Sequence, residues 1–213
     1  MCTWKRWEKA LALALLLTLM IVAGECCIGV KTQQELAQKM VRLHVLANSD
    51  SDDDQQRKLV VKDAVFARTE EILRSANNQK DAELRLNSAL PELERLAEET
   101  LRREGTAEDV SVTLVTERFH TRYYDGFTLP AGQYRSLQVV IGEGAGQNWW
   151  CVVFPPLCST NAESFSVAAA QGNLNDDEIR LIRTGEEGYL IRFRTLELWN
   201  QWMKSFSENE SGA

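Results

Sequence analysis

Four stretches of this chain hold residues whose types and spacing suit chemistry. The first is Asp50-x-Asp52-x-Asp54, alternating carboxylates like the opening of a calcium-binding loop. Such a loop needs Gly at its sixth position and a bidentate Glu at its twelfth. Counted from Asp50, those positions are Gln55 and Val61, so the calcium reading fails. The acids read instead as charge opposing the positive end of a helix dipole, with Ser51 as the cap. The second is the glycine-rich run at 142–146. It is G-x-G-x-G rather than G-x-G-x-x-G, and a strand follows it, so no helix N-terminus is offered to a phosphate. It reads as a hairpin turn between two strands. The third is a thiol centre, Cys151 or Cys158 with His44 or His120 as base. Cys151 lies within an apolar run, where a thiol is more often inert packing. The fourth is the adjacent pair Trp149 and Trp150, which a strand must direct to opposite faces. One of them then covers the core, and the other meets a second layer or a partner.

The elements that must position these residues follow from periodicity. Val41, Leu43, Val45 and Ala47 alternate with Arg42, His44 and Leu46, which predicts a strand with one buried face. A helix follows to about Ala76, its apolar side formed by Leu59, Val61, Ala64, Val65, Ile72 and Leu73. Asn77-Asn78-Gln79-Lys80 breaks it. A second helical stretch covers 81–104, in which Pro91 predicts a division into two helices and Gly105 a C-cap. From Val110 onward the texture is that of strands: 110–115, 134–141 and 149–154, with turn signals at Asp125-Gly126 and Pro130-Ala131-Gly132. The last of these strands is expected to be buried on both faces. Residues 161–172 fit helix or loop, 176–184 a short helix, 189–193 a strand and 195–206 an amphipathic helix carrying Leu196, Leu198, Trp199, Trp202 and Phe206. The expected fold is α+β, with an N-terminal strand and helices, a central mostly antiparallel sheet and a C-terminal amphipathic helix.

Composition narrows the function classes. Hydrophobic residues make up 44% and charged residues 26% of 213, which excludes a collagen-like, wholly disordered or multi-span membrane chain. The formal charge of -7 argues against nucleic acid as a partner. Two histidines are too few for a His-rich metal site, and the five cysteines form no C-x-x-C pair. No metal, cofactor or catalytic set is expected.

The N-terminus reads as an address. Lys5, Arg6 and Lys9 precede an apolar run at 10–23, and Val22-Ala23-Gly24 supplies small residues at its exit. That is the pattern of a secretory signal sequence over 1–24. A retained anchor reaching to about residue 30 is the alternative, since a bilayer span needs about 20 residues. Glu25 before Cys26 argues against lipidation. Residues 25–40 read as a linker, 41–206 as a single domain and 207–213 as a polar tail. Loss of the leader removes Lys5, Arg6, Glu8 and Lys9, and takes the formal charge from -7 to -9. In an extracytoplasmic setting thiols can pair. Cys151 and Cys158 are separated by a Pro-Pro turn, so a cystine is favoured over catalysis, with a free pair as the alternative.

These residues also carry a resemblance. Arg42-Leu43-His44-Val45-Leu46-Ala47-Asn48-Ser49-Asp50-Ser51, then Asp54-Gln55 and Leu59-Val60-Val61-Lys62-Asp63-Ala64-Val65, resemble the opening signature of the stage II sporulation protein R family. So does Leu129-Pro130-Ala131-Gly132-x-Tyr134, together with the run from Leu137 through Gly142-x-Gly144-x-Gly146-Gln147-Asn148-Trp149-Trp150-Cys151 to Cys158. The resemblance implies export from the forespore into the space between the two membranes of the dividing cell. There such a protein would trigger the mother cell's membrane-embedded stage II GA aspartic protease to process pro-sigma E. Membrane contact would be limited to the N-terminal apolar segment. The surface expected to meet the protease combines His44, Asn48, Ser49 and Asp50 with Gln147, Asn148, Trp149 and Trp150. Two other readings compete: an exported thiol-dependent hydrolase using Cys151, and a passive envelope protein.

Overall fold

The computed structural model describes residues 6–124, 126–158 and 162–183. The strand expected at 189–193 and the helix at 195–206 lie outside the described residues. The chain divides into two compact units, and residues 35–184 form the larger one.

Helix α1, Arg6–Ala37, opens the chain. It runs straight through the stretch expected to be a linker, ending only three residues before the first strand. Its leucines and valines from Leu11 to Val22 are exposed. It is the one helix among the described residues long and apolar enough to cross a membrane.

Strand β1, Val41–Leu46, leads to α2, Asp52–Leu73, and α3, Gln79–Arg103. Ser51 caps α2 as expected, accepting from the Asp54 N–H, and three aspartates fill the first turn. Asn78 caps α3 in the same way. Gly105, at φ +80°, ends α3 in a Schellman closure, with Thr106 N–H bonded to Leu101 O and Gly105 N–H to Arg102 O. The division expected at Pro91 does not occur: α3 is one helix of 25 residues. Its buried stripe, Ala82, Leu86, Ala89, Leu93, Ala97 and Leu101, passes through the proline without a step. Each such leucine contributes about 1.5–3 kcal/mol on burial, so the stripe outweighs the one hydrogen bond that the proline removes.

The main sheet has four strands in the order β2-β5-β1-β6, with β2 at Val110–Phe119, β5 at Gly132–Ile141 and β6 at Asn148–Phe154. β2 pairs antiparallel with β5, and β1 antiparallel with β6, while β1 and β5 are parallel. The sheet is thus mixed and mostly antiparallel, in an α+β fold. A separate hairpin joins β3, Arg122–Tyr124, to β4, Phe127–Leu129, through the expected turn, where Gly126 takes φ +81°. Residues 162–171, undecided from sequence, form α4, Ala162–Gln171, and α5 spans Asp176–Ile182.

α2 and α3 cover one face of the sheet. Val41, Leu43, Val45, Val112, Leu137, Val139, Cys151 and Val153 point into this core with Val61, Val65 and Leu93. The opposite face is buried too, contrary to the expectation for β1. Arg42 is 0% exposed, held between Phe119, whose ring centre is 3.8 Å from the guanidinium carbon, and Tyr134, while Nη2 donates to the Tyr124 hydroxyl at 2.6 Å. The polar alternation of β1 therefore faces a second layer, built partly by the hairpin, rather than solvent. β6 is buried on both faces only from Cys151 to Phe154; Asn148 and Trp149 are exposed.

Candidate functional site

The glycine run at 142–146 is not a hairpin. β5 and β6 are not neighbours, because β1 lies between them. The run must therefore cross over the end of β1 and meet the residues that leave it. Glu143 N–H donates to Asn48 Oδ1 at 3.0 Å, Ala145 N–H to Asn48 O at 3.1 Å, Gly146 N–H to Ala47 O at 2.9 Å and Gln147 N–H to Asp50 Oδ1 at 2.8 Å. A Cβ on Gly142 would stand 2.2 Å from Asn48 Oδ1, and one on Gly146 would stand 2.1 Å from Ser49 O. Only glycine admits so close an approach.

Asp54 ties this crossing to α2. Its carboxylate accepts from Ser49 Oγ at 2.5 Å, Asn48 Nδ2 at 3.0 Å and Arg57 Nη1 at 3.0 Å. The Ser49 hydroxyl is the chief cause holding this carboxyl below its usual range, helped by Asn48, Arg57 and Ser51 against the opposing effect of burial. Lys58 reaches from the next turn of α2 to Gln147 O at 2.9 Å. Burial pushes this ammonium below its ordinary value, while the Asp50 charge raises it. The aspartates first considered for calcium thus cap a helix, and Asp54 organises a loop.

His44 lies on the hairpin-facing side of β1. Nδ1 contacts Glu117 Oε2 at 2.9 Å and Nε2 contacts Asn148 Oδ1 at 2.8 Å, while the ring stacks on Trp150 with centroids 3.6 Å apart. Burial would raise the Glu117 carboxyl, yet the hydrogen bond and charge of His44 and the charge of Arg42 hold it below the usual value. Both ring nitrogens of His44 are engaged, and neither contact is with a cysteine.

The two polar blocks expected to share a surface are brought together, but they divide by role. His44 is buried, and Asn48, Ser49 and Asp50 spend their side chains on the crossing. Gln147, Asn148 and Trp149 are exposed and Trp150 half-buried. Trp149 points to the helix side, under Lys62 at 4.8 Å, and Trp150 to the hairpin side, under Arg122 at 5.3 Å. Between them lies a cleft of about 490 Å³ along the outer edge of β6, walled by the hairpin residues Arg122, Tyr123, Tyr124 and Phe127 and floored by Cys151 and Cys158. Tyr123 is 66% exposed. The hairpin's share of this cleft escapes a reading of the sequence. The aromatic pair Tyr123-Tyr124 ahead of the Asp-Gly turn is the signal that points to it.

Cys151 and Cys158 are both free thiols. Both line the cleft, and the Val152 N–H donates to Cys158 Sγ at 3.1 Å. The contact with Cys158, followed by burial, pushes the Cys151 thiol up. The same contact, aided by the Val152 N–H and the Arg42 charge, holds Cys158 down. No group of three or more potential metal ligands occurs among the described residues.

The family model for stage II sporulation protein R matches residues 37–164, from the end of α1 through the crossing and the cleft. The stage II sporulation protein R of Bacillus subtilis (strain 168) is 41% identical over 118 residues, 55% of this chain and 53% of that protein. The chain thus spans about half the length of the curated relative it matches. No solved structure matches. With a family model covering more than half of its residues, the chain belongs to the stage II sporulation protein R family, a family of sporulation proteins.

Proposed function

We propose that this protein is an exported signal that activates the stage II GA aspartic protease of the mother-cell membrane, so that pro-sigma E is processed. The observation that carries the reading is the open cleft at the edge of β6. There Trp149 and Tyr123 are exposed beside the cation Arg122. Tryptophan, tyrosine and arginine are the residues on which interface energy concentrates. In this reading Gln147, Asn148, Trp149, Trp150, Arg122 and Tyr123 meet the protease, and His44, Asn48, Ser49 and Asp50 hold them from beneath. α1 supplies the route out of the forespore, as a signal sequence or an anchor. An activator of this kind works by binding the active state of its receptor more tightly than the inactive one. A thiol hydrolase built on Cys151 is poorly supported. That thiol is packed in the core and pushed toward its protonated form, opposite to what a nucleophile needs.

The test is a three-component reconstitution in a non-sporulating bacterium, with the full chain, the protease and tagged pro-sigma E. Cleavage of the tagged substrate with the full chain, and its loss when residues 1–24 are deleted, is the expected result. No cleavage with all three proteins folded and correctly located refutes the reading.

A further inference from the structure

We propose that Cys158 and Cys151 form a reversible dithiol–disulfide site, with Cys158 as the thiol that reacts first and Cys151 as the one that resolves it.

The placement argues for it. Cys151 is 5% exposed, on the helix-facing side of β6, whereas Cys158 is half-buried and opens onto the cleft. Both cysteines line the cleft, each thiol acts on the ionisation of the other, and the Val152 N–H donates to Cys158 Sγ at 3.1 Å. Arg42, fully buried on the hairpin-facing side of the sheet, has no hydrogen-bond partner at Nε or Nη1. A buried guanidinium with unpaired N–H groups is costly unless an anion lies close by. Its charge favours the thiolate of Cys158 as it favours the carboxylate of Glu117. A thiolate beside a cation, an N–H donor and a second thiol is the arrangement of a reactive cysteine. Both thiols line the cleft whose aromatic side chains are assigned to the protease, but the reaction itself needs no protease.

The reaction balances against an external disulfide. The Cys158 thiolate attacks one sulfur of R–S–S–R, forming Cys158–S–S–R and releasing RS⁻, which takes the proton from the Cys151 thiol. The Cys151 thiolate then attacks Cys158, forming the internal disulfide and releasing the second RS⁻, which takes back from water the proton that Cys158 gave up on ionising. Two cysteine thiols are oxidised, and one external disulfide is reduced to two thiols.

The experiment uses the full chain in detergent, carrying Cys2→Ser, Cys26→Ser and Cys27→Ser, with oxidised glutathione as the probe and mass spectrometry of peptides as the readout. The expected product is two hydrogens lighter, with Cys151 joined to Cys158, and reduced glutathione reverses it. Cys151→Ser should trap glutathione on Cys158. Iodoacetamide at pH 7 should label Cys158 about tenfold faster in the folded, reduced chain with Cys151 in place than in the same chain in urea, as a lowered thiol pKa requires. Absence of the internal disulfide, or labelling of Cys158 that is slower in the folded chain than in urea, overturns the proposal. Neither readout involves the protease, so its failure is separate from failure of the activator reading.

Discussion

At Asp54 a single carboxylate joins β1, the glycine crossing and α2, through Asn48, Ser49 and Arg57. Its pKa is depressed on folding from 3.8, with Ser49 the chief cause. A depressed carboxylate contributes stability that is fully present above the unfolded value and is lost as pH falls through the folded one. Asp54→Asn should therefore destabilise the protein at pH 7 by about 2 kcal/mol, the scale of hydrogen bonds to a charged group. The loss should shrink as pH falls below 3.8, where the unfolded chain takes up a proton on this carboxyl before the folded one does. Urea denaturation at pH 7 and pH 3 checks both parts; an equal loss at the two pH values contradicts the assignment. Gly146→Ala tests the same crossing by shape. Its new Cβ would stand 2.1 Å from the Ser49 carbonyl oxygen, so a loss of about 1–3 kcal/mol is expected in the same measurement.

Among the elements, several signals set by near neighbours are legible in the sequence. Ser51 as a cap, Gly105 as a C-cap, and the alternation of Val110, Val112 and Leu114 each depend on neighbours within a few residues. The glycine run at 142–146 was misread as a hairpin because its geometry is set by β1, about a hundred residues earlier in the chain, inserted between β5 and β6. Arg42 and His44 looked like an exposed face because nothing local announces the hairpin layer that covers them. The same absence hid Arg122 and Tyr123 from the candidate surface, while Trp149 and Trp150 declared themselves by type and adjacency. Pro91 was overweighted. It sits on the exposed side of α3 while the buried stripe runs on unbroken. Since proline costs about 3 kcal/mol more than alanine inside a helix, Pro91→Ala should raise stability by about 1–3 kcal/mol. A lowered thermal midpoint would show that the proline is needed to set the course of α3.

On the scale of the whole molecule, an exposed apolar helix precedes an acidic domain whose polar and aromatic exposure converges on the outer edge of β6. The proposed activation assigns the signal to this edge and not to an enzymatic centre. Tyr123 is 66% and Trp149 37% exposed, so the double variant Trp149→Ala with Tyr123→Ala loses packing chiefly at Trp149 and should stay folded with a lowered unfolding temperature. The decisive measurement is pro-sigma E cleavage in the three-component reconstitution, with this double variant matched to the wild type in amount and location. The account predicts a loss of processing of at least tenfold from a folded protein, in keeping with the truncation of two residues central to an interface. Full processing by the folded double variant would contradict it.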